Sequence, residues 1–321
     1  MSFDKKVILV TGGAGFIGSN LVEVILKDKV KKLIVLDNFV AGKKENIENF
    51  QNDRRFELIA GDIRDYGLVK KLVQKSDLIF NLAASKLVVS LEHPRVDLET
   101  NILGTFNILE AARKNPVVRI VHASTGSVLG SSHSPMAEEH CPNPTTLYGI
   151  SKLAAEKYCL FYVKEFGVKV SVVRYFHVFG PRQDYTGSSG VVNIFLSRVL
   201  TGKSPVIFGT GEQIRCLTYV EDDIEATLML ANSDGAIGEI YNVASLTRIS
   251  VKQLAEIIIS KFGPKGMKPE YGASRQGENL RPIPDTTKIE RLGFKAKVEF
   301  EEGLEKTKAW IQGDLNKRNV I

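Results

Sequence analysis

The sequence predicts an α/β fold, a doubly wound parallel sheet with a smaller, discontinuous C-terminal domain for substrate. Three observations predict it. Short apolar runs recur through the first half, helical patterns alternate strictly with them, and beyond Gly180 the residues Gly and Pro break the chain into shorter pieces. Strict alternation of strand and helix implies parallel neighbours joined by right-handed crossovers.

Val7 to Val10, Leu33 to Leu36, Phe56 to Ile59, Leu78 to Leu82 and Arg119 to His122 read as buried strands because apolar residues follow one another without a polar alternate. Between them, Ile17 to Lys27, Gly67 to Gln74 and a longer stretch from about Val96 to Lys114 have helical spacing. A helix from Tyr148 to Phe166 precedes one more strand, Val168 to Tyr175. Then Gly180-Pro181, Gly202, Pro205, Gly209, Gly211, Gly263-Pro264 and Gly266 isolate the remaining helices among loops. Ile240 to Ala244 is strand-like and is expected to return to the sheet. The expected division is residues 1–179 with a return strand near 236–246, against 180–235 and 247–321.

With 321 residues, 43% hydrophobic and 25% charged, the chain is long enough for about two domains and has the composition of an ordinary globular protein. Disordered, collagenous and disulfide-scaffold classes are excluded. The opening MSFDKKVILVTGG has a short apolar run and no small-residue cleavage site, so neither a signal peptide nor a membrane span is expected, and the expected location is cytoplasmic. Cys141, Cys159 and Cys216 lie far apart without a C-x-x-C pair, and His93, His133 and His140 share no helical face. No disulfide framework and no metal site is therefore expected. The net charge of +6 sits in short basic doublets interleaved with acids, which fits a phosphate-bearing small molecule better than nucleic acid.

Residues 7–18, VILVTGGAGFIG, are a strand ending in Gly12, Gly13, Gly15 and Gly18 and running directly into a helix. Such a turn lets backbone approach a pyrophosphate, while the helix N-terminus offers free N–H groups and a favourable dipole. The next strand ends at Asp37, nineteen residues after Gly18, where a carboxylate can hydrogen-bond the ribose hydroxyls of adenosine and repel a 2'-phosphate. The pattern is a Rossmann site that prefers NAD over NADP. Asp62-Ile63 ends the third strand and can meet the adenine edge or merely cap a loop. Leu82-Ala83-Ala84 ends the fourth and can leave room beside the pyrophosphate or simply pack.

Tyr148 and Lys152 stand four apart at the start of a helix and so share a face. A phenol of pKa near 10 is a poor base at neutral pH, and an adjacent ammonium, helped by a positive nicotinamide, is expected to pull it down. Tyr66 and Lys70 repeat the spacing. Position separates the pairs, since Tyr148 follows a strand ending in Ser124-Thr125, whose hydroxyls sit at the sheet's carboxyl edge, and Tyr66 has none.

Together TGGAGFIG, LDNF, GDIRD, NLAAS, DLETNILGTFNILEAAR, STGSVLG, YGISK and RYFHVFGPRQ resemble the extended short-chain dehydrogenase/reductase family, specifically its nucleotide-sugar epimerases. The likeness continues through FGTGEQIRCLTYVEDD, YNVAS and KIERLGFKAKVEFEEGLEKT and covers nearly the whole chain. It implies tightly held NAD, a C-terminal domain gripping a UDP-sugar, and a homodimer formed by the helices near 101–112 and 150–162. By the same resemblance Tyr148 is the catalytic base, Lys152 the group that lowers its pKa, and Thr125 the partner of the sugar 4-hydroxyl, with Ser124 as a fallback. The cofactor is expected on Gly12, Gly15, Phe16, Ile17, Gly18, Asp37 and Asn38. Asp62, Ile63, Leu82, Ala83, Ala84, Lys86 and Asn101, with Tyr148 and Lys152, complete that set. The substrate is expected on Lys86, Ser124, Thr125, Ser127, Tyr148, His177, Arg182, Arg215 and Arg275.

The departures narrow the chemistry. Relatives that dehydrate or decarboxylate sugars follow the catalytic Thr with Asp-Glu or Ser-Glu, and here Gly126 and Ser127 follow Thr125. His177 replaces the Asn of RYFN, Cys216 replaces the Asp of R-D-F, and Leu129 replaces the Tyr of VYG. The resemblance then implies NAD-dependent 4-epimerisation through a transient 4-keto sugar. Pro282, where glucose-restricted members carry a bulky Tyr, favours UDP-GlcNAc/UDP-GalNAc alongside UDP-glucose/UDP-galactose. The alternatives are a UDP-glucuronate 4-epimerase, in which Thr125, Ser127 and Arg182 bind the carboxylate, another dehydratase, decarboxylase or reductase of the family, and a non-enzymatic NAD-binding sensor.

Overall fold

A computed structural model of the protein describes residues 3–115, 118–132, 134–187, 190–274 and 283–320. The chain runs through β1 (Val7–Thr11), α1 (Phe16–Leu26), β2 (Lys32–Asp37), β3 (Phe56–Ala60), α2 (Tyr66–Val73) and β4 (Leu78–Asn81). It continues as α3 (Leu87–Glu92), α4 (Pro94–Leu98), α5 (Gly104–Arg113), β5 (Arg119–Thr125), α6 (Leu147–Phe166) and β6 (Lys169–Tyr175). Then follow β7 (Val178–Phe179), α7 (Val191–Leu200), β8 (Val206–Phe208), β9 (Ile214–Cys216), β10 (Thr218–Tyr219), α8 (Val220–Asn232) and β11 (Ile240–Val243). The last elements are β12 (Arg248–Ser250), α9 (Val251–Phe262), β13 (Glu270–Gly272), α10 (Thr287–Glu290) and α11 (Phe300–Lys317).

Seven strands form one parallel sheet in the order β11-β6-β5-β4-β1-β2-β3, the doubly wound arrangement the alternation predicts. β1 leads outward to β2 and β3, and the chain then crosses back to place β4 on the other side of β1. That reversal opens a crevice at the carboxyl ends of β1 and β4, where ligands of such sheets bind. β11 adds to the far edge, with Ile240 opposite Val172 of β6.

Residues alternate between two cores because successive strand side chains point to opposite faces. Ile8 and Val10 join Leu21 of α1, Leu196 of α7, Leu254 of α9 and Ile311 of α11, so one core runs from the sheet through the C-terminal helices. Leu9, Ile34 and Leu36 face the other way, onto Val69 of α2, Ile108 of α5 and Cys159 of α6.

The run from Val96 to Lys114 is helical as expected but not α-helical throughout. α4 passes through a π turn over Glu99–Leu103 into α5, and α3 precedes it where no helix was expected. A π turn holds an extra residue in the helix, which shifts the facing of everything after it. Here it turns Asn101 inward, fully buried.

Candidate active site

β1 ends at Thr11 and the chain turns at Gly12, whose φ of 69° lies in the left-handed region. A Cβ on Gly12 would stand 2.8 Å from the backbone nitrogen of Ala83, and one on Gly18 would stand 2.2 Å from the Gly12 carbonyl oxygen. Neither position has room for a side chain. Gly15 caps α1 with no side chain to occupy the first-turn N–H groups. Bare backbone and an open helix N-terminus together fit a pyrophosphate. These residues therefore suit the dinucleotide that the glycine pattern implies.

The turn opens into a cleft of about 340 Å³ lined by Gly12, Gly15, Phe16, Ile17, Gly18, Leu82, Ala84, Lys86, Ser124, Tyr148, Lys152 and Arg182 among the expected residues. At the end of β2, the Asp37 carboxylate accepts N–H groups from Ala14 (2.9 Å) and Phe39 (2.8 Å), and burial pushes its pKa up against those bonds. Asn38 donates to Asp62 at 2.8 Å. Burial works against ionisation of Asp62, yet hydrogen bonds from Arg64 and Asn38 hold its carboxyl down at about 2. Ile63 is buried against Gly104, and the Ala83 N–H donates to Thr11 Oγ1 at 3.3 Å. Asn101 does not line the cleft, because its amide is taken up by Asp97, Ser85 and Ser151 behind the cleft wall.

α6 carries the reactive pair. Thr146 caps it by accepting the Gly149 N–H at 3.1 Å, and the helix ends at Gly167, whose φ is 67°. Ser151, Lys152, Ala155, Glu156, Cys159 and Tyr162 form its buried stripe, so Lys152 is held against the sheet at 2% exposure. Tyr148, one turn earlier, opens on the cleft. Its hydroxyl is hydrogen-bonded to Thr125, whose Oγ1 also accepts the Ser127 N–H at 3.2 Å.

The lowering expected beside a bound nicotinamide is opposed by the protein's own burial of the phenol. Tyr148 is half-buried on the cleft wall. Burial pushes its pKa up to about 12, outweighing the Thr125 hydrogen bond, and the Asp97 charge adds to the rise. Burial likewise drives Lys152 down to about 8 against the raising fields of Cys159, Glu156 and Asp97. Spacing records the neighbour four residues on and not the loss of water around the phenol. Tyr66, by contrast, is 37% exposed at the start of α2 and does not line the cleft.

The substrate residues are less uniform. Ser124 Oγ is buried without a hydrogen-bond partner. Burial takes His177 down to about 3, aided by the charge of Arg215, and its Nδ1 is also buried without a partner. Arg215 lies on β9 and donates to the Ile214 carbonyl at 2.9 Å. The Cys216 thiol is pushed up by burial. Arg182 lies on the cleft wall, but its guanidinium is committed to α1: it pairs with Glu23 at 2.5 Å and donates to the Ser19 carbonyl at 3.1 Å. It thus ties the 180–187 loop to α1. Arg275, Pro282 and His133 lie outside the described residues.

Sequence reasoning missed Lys43, Asn46, Ser85, Tyr175, Gln183 and Asp184, which also line the cleft. Lys43 and Asn46 sit in a loop without periodicity, folded back on the Ala14 carbonyl by the Lys43 N–H (3.0 Å) and Asn46 Nδ2 (2.9 Å). Asp184 pairs with Lys86 at 3.8 Å, a contact between segments about a hundred residues apart. Among the described residues there is no group of three or more His, Cys, Asp or Glu that could hold a metal. No described helix is long and apolar enough to cross a membrane.

Residues 9–307 match the GDP-mannose 4,6 dehydratase family. The chain is 36% identical over 304 residues to a UDP-glucose 4-epimerase of Mycolicibacterium smegmatis, covering 93% of this chain and 96% of the relative. It is 34% identical over 322 residues to a UDP-N-acetyl-alpha-D-glucosaminuronate decarboxylase of Bacillus cytotoxicus, covering 96% and 98% respectively. Its fold superposes on a Thermus thermophilus UDP-glucose 4-epimerase crystallised with NAD, with a TM-score of 0.86, 33% identity, and coverage of 96% of this chain and 99% of that one.

Proposed function

The chain belongs to the extended short-chain dehydrogenase/reductase family and is an NAD-dependent enzyme of nucleotide-sugar chemistry, and from that premise we propose that it is a UDP-sugar 4-epimerase. The observation that carries this reading is a Tyr148–Thr125–Lys152 site with no carboxylate after the threonine. Position 126 has no room for one, since a Cβ there would stand 2.4 Å from the Phe176 ring. Ser127 supplies only a hydroxyl. Asp184, the carboxylate on the cleft wall, is ion-paired with Lys86. Dehydration needs an extra acid or base at C5 or C6, and among the described residues the wall carries no carboxylate besides Asp184.

NAD, when bound, supplies hydride acceptance and return at sugar C4. Tyr148 takes the proton from the 4-hydroxyl and gives it back after the sugar has turned over. Thr125 holds that hydroxyl against Tyr148, and the buried Lys152 ammonium stabilises the phenolate as it forms. Arg215, on the C-terminal elements assigned to substrate, grips the diphosphate as an always-charged fork, and Arg275 is expected to join it.

We take UDP-GlcNAc/UDP-GalNAc and UDP-glucose/UDP-galactose as the substrates, the first pair on the strength of Pro282. UDP-glucuronate is the second reading and is weaker, because Arg182 would have to leave Glu23 to meet a carboxylate. Proton NMR of the purified protein, incubated without added NAD with each of UDP-GlcNAc, UDP-glucose and UDP-glucuronate, tests the choice. The C4 epimer of the first two is expected, and no epimer from any of them, even after NAD is restored, removes the reading. Exposed Leu98, Leu103, Leu147, Ile150 and Phe161 along α4, the π turn and α6 support the expected homodimer. Sedimentation at twice 35.5 kDa is the expected result, and a monomer at micromolar concentration contradicts it.

A further inference from the structure

Arg182 has a φ of 69°, in the left-handed region and without the freedom of glycine. Such a conformation persists only where the surroundings over-determine it, and here they are segments that themselves line the cleft. Residues 180–185 are rooted by Gln183 Nε2, which donates to the Val178 carbonyl at 2.8 Å, and by Asn193 Nδ2, which donates to the Gly180 carbonyl at 2.9 Å. From α1, Asn20 Nδ2 donates to the Pro181 carbonyl at 3.0 Å. Both terminal nitrogens of Arg182 are engaged on α1, one with the Ser19 carbonyl at 3.1 Å and the other with Glu23 at 2.5 Å. The same guanidinium stands over the Phe50 ring, 5.9 Å from its centre, at the end of the loop that brings Lys43 and Asn46 to the cleft.

Two residues on, Asp184 pairs with Lys86 at 3.8 Å, on the segment that follows β4. α1 follows β1, so residues 180–185 link the two sides of the crevice between β1 and β4, and Arg182, Gln183 and Asp184 all line the cleft as they do so. The segment is a strap, and Arg182 is where it is fastened. Burial opposes ionisation of Glu23, yet the hydrogen bond and charge of Arg182 hold its pKa below the usual carboxylate range, so the fastening is an ion pair at neutral pH.

We propose that Arg182 is a positioning residue that retains NAD: clamped to Glu23 and the Ser19 carbonyl, it holds the 180–185 strap across the crevice, and the dinucleotide leaves when that clamp opens. The inference rests on the proposed epimerisation, in which NAD returns to its starting form within each turnover and its exit serves no step of the cycle. It gives Arg182 a different task from the substrate contact that the resemblance implies, and Glu23 separates the two. If Arg182 serves the strap, neutralising Glu23 loosens it. If Arg182 serves the substrate, neutralising Glu23 merely frees the guanidinium and leaves NAD where it was.

The test loads the purified protein with NAD, transfers it to buffer without NAD, and follows the cofactor appearing in the ultrafiltrate over time. Arg182→Ala is expected to release NAD roughly tenfold faster than the parent and Glu23→Gln roughly threefold faster, since the second keeps the bond to the Ser19 carbonyl. Denaturant unfolding of the NAD-free proteins separates retention from a weakened fold, and Glu23→Gln is expected to unfold at the parent's midpoint because a partly exposed pair adds little to stability. Should Arg182→Ala not fold, Arg182→Lys and Glu23→Gln carry the test. Release from Glu23→Gln at the parent rate overturns the inference, and so does faster release matched by an equal loss of stability in the NAD-free protein. Release is read without sugar, so failure of the epimerase assay and failure of this inference are separate results.

Discussion

Tyr148→Phe is expected to lower turnover by about 10²- to 10⁴-fold while NAD stays bound, because the loss is of proton transfer and not of the dinucleotide cleft. Phenylalanine keeps the ring and removes only the hydroxyl that meets Thr125. Steady-state turnover and the cofactor content of the purified variant check both halves. Near-normal turnover would remove the tyrosine from the mechanism. The pH dependence of the unsubstituted enzyme belongs to the same result. Lys152 is charged below its pKa of about 8, so its support for the phenolate is present at neutral pH and lost as pH rises through that value. Activity should therefore fall on the alkaline side of about 8, while on the acid side it is limited by the raised phenol.

Arg174→Ala is expected to destabilise the fold by about 3–5 kcal/mol, a large share of the 5–15 kcal/mol typical of a domain. Arg174 on β6 and Glu156 on α6 are 1% and 0% exposed, and two parallel bonds of 2.8 Å join them. Arg174 Nη1 also donates to the Glu138 carbonyl at 3.1 Å. Taking away the guanidinium leaves a buried carboxylate and a buried carbonyl unpaired, which is costlier than losing the attraction itself. Replacing both residues by leucine should recover most of the loss, since no charge is then stranded. Denaturant unfolding of the single and double variants measures this, and a single variant within about 1 kcal/mol of the parent would show that the pair does not anchor α6.

What was legible in the sequence was whatever combined spacing with position on the sheet. Gly12, Gly15 and Gly18 could be read because backbone must approach backbone there, and the steric distances at Gly12 and Gly18 carry the same message. Tyr148 could be told from Tyr66 because only the former follows a strand ending in hydroxyls. The parallel sheet with its crossovers followed from alternation.

What stayed hidden depends on burial and on contacts between distant segments. Asp97 sits between Arg95 and Glu99 with no motif to mark it as buried, and the docking of α4 on α6 encloses it. The pairing of Glu156 with Arg174 joins a helix to the next strand with no motif to mark it. Arg182 matched a substrate position, yet α1 offers it Glu23 and the Ser19 carbonyl, which no local pattern announces. The sign of the Tyr148 shift is of the same kind, because residue spacing records neighbours and not the loss of water.

The central claim is that C4 is oxidised and reduced within one bound sugar. UDP-glucose carrying deuterium at C4, incubated with the purified protein in ordinary water, tests it most directly by NMR and mass spectrometry. The expected product is UDP-galactose with the deuterium retained at C4, at a rate slowed relative to unlabelled sugar if the C–H step limits turnover. An epimer whose deuterium has washed out into water would contradict hydride transfer at C4.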